Sequence, residues 1–377
     1  MVDALLLTNA VRTYAWGSRT VLPGLLGLPV PTDEPWAEIW VGAHPGDASR
    51  LPDGRSLAEV EPDLPFLVKL LAAEVPLSIQ AHPSLTQAQA GYAREDAAGV
   101  PLAAAGRTYK DRNHKPELLV ALTPTQALCG FRSPAEILAT GDRLGSALFA
   151  GLVAGLATDA TLRETFTALV TLEGTARKEL LAEVTAAAER VVRSPGSPDS
   201  AAAAAAAAWV LRLAELYPGD PGMIAPLLLR LVVLAPGEGI FVASGVLHAY
   251  LHGAGVEVQA SSDNVLRGGL TGKPIDIPDL LRVMTVDEGP APFVRPRPVG
   301  PGVDAYDVPV DDFTVWRVRP DGRPITVASI GPRIVVCVEG DVTVCGTPLR
   351  PGGAVYVPGD VADLVVAGAG TVFVAAG

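Results

Sequence analysis

Gly239-Ile240-Phe241-Val242-Ala243-Ser244-Gly245-Val246-Leu247-His248-Ala249-Tyr250 is the stretch on which the fold turns. Its first five residues form a short apolar run of the kind that fills a buried strand, and Ser244-Gly245 reads as a turn. A histidine follows three residues later. The hundred residues before it read quite differently, so the segment marks the return of β structure after a helical block.

Working back from it, the helical text begins at Ser133. Ser133 suits an N-cap, Pro134 the first helical position, and Glu136 completes a capping box. Leu162, Phe166, Leu169 and Val170 recur at helical spacing, and Ala176 to Val192 is an uninterrupted run of helix formers. Ser194-Pro195-Gly196-Ser197-Pro198 stops that run, and Ser200 caps an alanine-rich stretch leading to Trp209, Leu213 and Leu216. Residues 133–232 are therefore expected to be an α-helical insertion. Residues 1–132 carry short β-like runs such as Ala37–Val41 and Phe66–Leu70, split by turns such as Pro52-Asp53-Gly54. That domain is expected to resume over 233–288. Gly289-Pro290-Ala291-Pro292 through Pro301 reads as a linker, and Thr314–Val318, Ile334–Val338, Val342–Val344, Ala354–Val357 and Leu364–Val366 predict a C-terminal β domain over 289–377. The fold class expected is mainly β with an inserted helical domain.

Bulk composition excludes several functions. A net charge of -12 over 377 residues is wrong for nucleic acid or an anionic membrane, both of which need broad positive potential. No apolar run approaches the ~20 residues of a membrane span, and Met1 to Ala10 lacks the pattern of a secretory signal. Cys129, Cys337 and Cys345 form neither a disulfide framework nor a CxxC pair, which fits a reducing cytoplasm.

Histidine and lysine are scarce, and their placement is informative. Eight of the ten fall within Phe66–Pro83, Tyr109–Leu118 and Ser244–Asp276, only 61 residues in all; an even spread would put about one or two there. Gln80 and His82 are two apart, so on a strand they present an oxygen and an imidazole to one point. Glu117 opens the apolar run Leu118–Leu122, with Lys115 on the same face. Gln80, His82, Glu117 and His248 make a nitrogen and oxygen set suited to one Zn²⁺ with an open position, the arrangement of a catalytic metal. Arg267 and Lys273 bracket a glycine-rich turn that suits a phosphate. Taken singly, each feature also reads blandly: a polar strand face, a surface ion pair of Lys115 with Glu117, a solvated loop.

Tyr14-Ala15-Trp16-Gly17-Ser18, Gln80-Ala81-His82-Pro83, His114-Lys115-Pro116-Glu117, Gly245 to Tyr250 and Asp263-Asn264-Val265-Leu266-Arg267-Gly268-Gly269-Leu270-Thr271 occur in that order. Together they resemble the type I mannose-6-phosphate isomerases over essentially the whole chain. The resemblance implies a cupin (jelly-roll) catalytic domain, one Zn²⁺ per chain on Gln80, His82, Glu117 and His248, and reversible conversion of mannose 6-phosphate to fructose 6-phosphate. It implies active-site positions for Lys115, Glu257, Asp263, Tyr250 and Arg267, a place near the phosphate for Ser78 and Lys273, and an entrance lined by Trp16. Gly272 stands where the family pattern has proline. No histidine follows His252, so the second, cupin-like β domain is expected to be metal-free. The chemistry implied passes through a cis-enediolate, with Lys115 and Glu257 both candidates for the base and Asp263 for ring opening. A cytoplasmic monomer joining glycolysis to mannose and GDP-mannose metabolism is expected. A sugar-phosphate-binding cupin would need no proton-transfer group, and an Fe(II) oxygenase would not need Gln80.

Overall fold

The computed structural model describes residues 4–104, 106–158, 160–194, 201–286, 293–328 and 330–377. It is mostly β, with one sheet of 11 strands and one of 9 and with antiparallel pairing throughout the described ladders.

The larger sheet owes its shape to one long strand, His248–Ala260. The second half of this strand pairs with Phe66–Ala73 on one side and Glu117–Ala121 on the other. Its first half pairs with Ile79–Ala81 and Thr125–Phe131 instead, after a register shift between Tyr250 and His252. Gly253, at φ +118°, sits at this bend; a Cβ there would lie 2.4 Å from Thr125 Oγ1, so only glycine lets the strand turn. The bend folds the sheet over on itself and creates an inside.

Alternation along each strand then decides what faces that inside. Val68, Leu70, Ala72, Leu118, Val120, Val256 and Val258 point outward into a core shared with Ile334, Val336, Tyr356 and Phe373 of the smaller sheet. The residues between them turn inward, where Leu71, Ala73, Leu119 and Ala121 form a second apolar cluster. Lys69, Glu117 and Glu257 share this inward parity and are buried. Burying ionised groups in a sheet interior costs several kcal/mol each unless they are paired, so these groups must find partners on the same face.

The helical block begins as the sequence predicts. Ser133 and Glu136 close a capping box on the helix Pro134–Leu144. Helices Leu162–Thr171, Gly174–Arg193 and Ala201–Leu216 follow, packed through Phe149, Phe166, Val184, Val210 and Leu213. The expected Ser200 cap and Gly289–Pro292 lie outside the described residues. No helix among the described residues is long and apolar enough to cross a membrane.

Four features depart from the sequence reading. The helical block ends before residue 232, because Leu229–Leu234 is a strand paired with Thr125–Phe131. Arg297–Gly300, read as linker, is a strand paired with Val303–Tyr306. Ile334–Val338 and Val342–Val344 are parts of one strand, Arg333–Val344, kinked by a bulge between Cys337 and Glu339 and paired along its length with Leu364–Ala376. The first strand, Leu5–Leu7, pairs with Ala354–Tyr356 in the smaller sheet, at the other end of the chain.

Candidate metal centre

Glu117 heads its strand on the inward face, and His248 starts the long strand opposite Gln80 and Cys129. His82 lies one residue beyond Ile79–Ala81. Ligand atoms of His82, Glu117 and His248 all lie within 4.8 Å of one another, and all three residues are buried. Each histidine is oriented from behind. His82 Nδ1 is 2.8 Å from the Asn264 carbonyl, and His248 Nδ1 is 3.0 Å from the Val246 carbonyl. A carbonyl only accepts, so both rings carry their hydrogen on Nδ1 and present a bare Nε2 lone pair toward Glu117.

Among the described residues no donor meets either lone pair. His82 Nε2 is fully buried and makes no hydrogen bond, although Glu117 Oε1 is 3.3 Å away. His248 Nε2 stands 3.4 Å from Glu117 Oε2. Two lone pairs facing a carboxylate repel unless a cation lies between them, and ring nitrogens oriented by backbone carbonyls are the usual backing of metal-bound histidines. Charge agrees: among the described residues the buried carboxylates Glu117, Glu257 and Glu38 stand with the buried ammoniums Lys115 and Lys69, one negative charge in excess when all are ionised. The donor set therefore fits a divalent ion, and two imidazoles with oxygen suit zinc.

Ser78, Gln80, Lys115 and Tyr250 line one small cavity together with Glu117, His248 and Glu257. Lys115 Nζ is 2.9 Å from Glu117 Oε1. Burial would raise the Glu117 carboxyl, but Lys115 and His82 hold it well below the usual carboxylate range. Burial pulls His82 down to about 4, against the opposing pull of Glu117. Burial pushes Glu257 above its ordinary value even with Lys69 beside it. The Tyr250 hydroxyl is buried without a hydrogen-bond partner, and burial next to Glu257 holds its proton on.

The remaining expected residues sit around the cavity. Arg267 lies opposite Gln80 in the register of Leu266–Gly269 with Ile79–Ala81. It makes no ion pair among the described residues, and burial lowers its pKa; Lys273 is lowered by burial and by Arg267, which places the two cations near each other. Asp263 is half-exposed and bound to His44. Trp16 packs against the inner apolar cluster that contains Leu71, Ala73 and Tyr250, and its ring lies 5.8 Å from Tyr14.

Sequence reasoning missed several residues that hold these in place. Lys69 Nζ bridges Glu257 Oε2 at 3.0 Å and Glu38 Oε1 at 3.6 Å, and Trp40 Nε1 donates to Glu38 at 2.8 Å. Lys69 stood within a histidine- and lysine-rich segment, which was its signal; Glu38 carried none. Asp111 accepts from Asn113 N–H, Ser262 Oγ, Asn264 Nδ2 and Asp263 N–H, tying the loop before Lys115 to the loop that bears Asp263.

A family model described as the phosphomannose isomerase type I catalytic domain matches residues 5–134. Mannose-6-phosphate isomerase of Escherichia coli is 36% identical over 97% of both chains. The human protein of the same name is 31% identical over 93% of this chain and 92% of its own. A crystal structure of mannose 6-phosphate isomerase bound with zinc and yttrium superposes with a TM-score of 0.89, at 34% identity, over 99% of each chain. The Salmonella typhimurium enzyme bound to fructose 6-phosphate and zinc matches equally well, with a TM-score of 0.89 over 99% of each chain. With its buried metal-ligand set and this likeness along nearly its full length, the chain belongs to the type I phosphomannose isomerase family.

Proposed function

We propose that this protein interconverts mannose 6-phosphate and fructose 6-phosphate, with one zinc ion held by Gln80, His82, Glu117 and His248. The observation that carries the reading is the pair of bare Nε2 lone pairs aimed at Glu117 beside an excess buried negative charge. Substrate and metal follow from relatives whose structures hold fructose 6-phosphate and zinc. Bound zinc supplies Lewis acidity for the negative charge that develops on neighbouring sugar oxygens. The reaction runs through a cis-enediolate. Glu257, whose carboxyl burial raises above its ordinary value, takes the proton from C2 and returns it to C1. Lys69 holds that carboxylate from behind. Lys115 donates to the substrate oxygen that gains charge, and Tyr250 offers its hydroxyl hydrogen beside it.

Asp263 exchanges protons at the anomeric and ring oxygens to open the sugar. Arg267, a half-buried cation without a carboxylate partner among the described residues, grips the phosphate with Lys273 and Ser78, and Trp16 borders the entrance. The catalytic unit is read as a cupin barrel of residues 1–132 and 233–288, interrupted by the helices of 133–232 and followed by a metal-free cupin-like unit over 289–377. The free cysteines fit the cytoplasm, where such a monomer would feed mannose and GDP-mannose metabolism. The test is a coupled assay for fructose 6-phosphate formed from mannose 6-phosphate. Activity lost on chelation and restored by zinc is expected; folded, zinc-loaded protein without turnover overturns the proposal.

A further inference from the structure

His44 was one of only two histidines and lysines outside the three catalytic segments, and the structure brings it back to the site. It is 4% exposed, whereas the Asp263 side chain beside it is 50% exposed. His44 Nδ1 accepts the Gly46 backbone N–H at 3.1 Å, so the neutral ring must carry its hydrogen on Nε2. That Nε2 lies 3.2 Å from Asp263 Oδ1. Trp40 packs edge-to-face on the ring with centroids 4.8 Å apart, and the Trp40 indole is itself tied to Glu38. On the other side, the Asp263 backbone N–H is held by Asp111 Oδ2 at 2.7 Å. The imidazole therefore has one tautomer, one orientation and no room to reach a sugar.

We infer that His44 is a positioning residue for ring opening: it occupies Asp263 Oδ1 and leaves Oδ2 as the single basic oxygen presented to the sugar. This rests on the ring-opening reading of Asp263. In the step, Oδ2 takes the anomeric hydroxyl proton, the anomeric C–O5 bond breaks as the carbonyl forms, and O5 receives that proton from the carboxyl. His44 keeps its own hydrogen throughout. A carboxylate free to rotate would divide its basicity between two oxygens and lose the alignment on which proton transfer depends.

The experiment compares fructose 6-phosphate with 5-deoxyfructose 6-phosphate, which has no C5 hydroxyl and an esterified O6 and so stays open-chain. Zinc-loaded wild type, His44→Leu, His44→Gln and Asp263→Asn are assayed in the ketose-to-aldose direction, with zinc content and melting temperature recorded. His44→Leu is expected to lose at least about tenfold in kcat on the cyclic sugar and less than about twofold on the open-chain one. Glutamine, whose amide N–H can replace the Nε2 hydrogen, restores most of the loss. Equal loss on both sugars for His44→Leu, while Asp263→Asn remains selective, overturns the inference. Asp263→Asn without selectivity overturns the ring-opening reading itself. If the leucine variant does not fold, the glutamine variant decides: a selective loss as large as that of Asp263→Asn contradicts a donor role, and near-wild-type rates on both sugars support it.

Discussion

Replacing Lys69 by methionine tests the buried charge network that carries Glu257. Its Nζ lies 3.0 Å from Glu257 Oε2 and 3.6 Å from Glu38 Oε1, with all three side chains less than a tenth exposed. At an effective dielectric near 20 a contact of this length is worth about 5 kcal/mol gross, most of it offset by desolvation. Methionine preserves the volume and removes the charge, leaving two buried carboxylates unpaired, which costs about 3–5 kcal/mol. The sign with pH follows from Glu257. Burial already raises its carboxyl, and without Lys69 the folded value climbs further above that of the unfolded chain. A raised acid contributes stability that is fully present below the unfolded pKa and lost as pH rises through the folded one, at about 1.4 kcal/mol per pH unit. Urea unfolding of metal-free Lys69→Met against metal-free wild type is therefore expected to show the full deficit near pH 8 and roughly half of it or less near pH 5. An equal deficit at both pH values, or a larger one in acid, would refute the reasoning.

Asp111→Asn keeps shape but turns one of the acceptor oxygens that serve Asn113, Ser262, Asn264 and Asp263 into a donor; about 1–3 kcal/mol of stability and a lower kcat should be lost, and a variant equal to wild type in melting and turnover would refute the clamp. His114 Nε2 contacts both Asp312 oxygens at 2.9 and 3.0 Å, linking the bend before the strand Thr314–Val318 to the residue before Lys115. Asp312→Ala should lower kcat by up to about a hundredfold with zinc content unchanged, and unchanged kcat would refute that link. Because burial holds His82 down to about 4, against about 6.5 when unfolded, the unfolded chain binds that proton first; metal-free protein should lose roughly 3 kcal/mol as pH falls from 6.5 to 4, measured by denaturation. Glu117, held low by Lys115 and His82, adds loss of the same sign at the acid end.

How much of this was legible in the sequence follows the range of the interactions. The Ser133–Glu136 capping box is contained within four residues and was read directly. The period of two that places Glu117 inward, opposite Leu118 and Val120, is equally local. His82 and His248 were legible as scarce residues in clustered segments, but their backing by Asn264 and Val246 carbonyls was not, because backbone acceptors leave no trace in residue type. Glu38, His44, Asp111 and Asp312 were missed for another reason. Their long-range partners, Lys69 for Glu38, Asp263 for His44, Ser262 for Asp111 and His114 for Asp312, come within reach only after segments distant in the chain have found their register, and a lone Glu, His or Asp reads as surface until then. The same limit hid Leu5–Leu7, three leucines that suit any sheet and pair with Ala354–Tyr356.

The most direct test of the metal centre is anomalous scattering at the zinc edge from crystals of the zinc-loaded protein, with Glu117→Gln crystals as control. A single zinc peak bounded by His82 Nε2, His248 Nε2, Glu117 and Gln80, weakened or lost in the variant, is the expected result. A peak elsewhere, or one at this place that Glu117→Gln leaves untouched, would contradict the account.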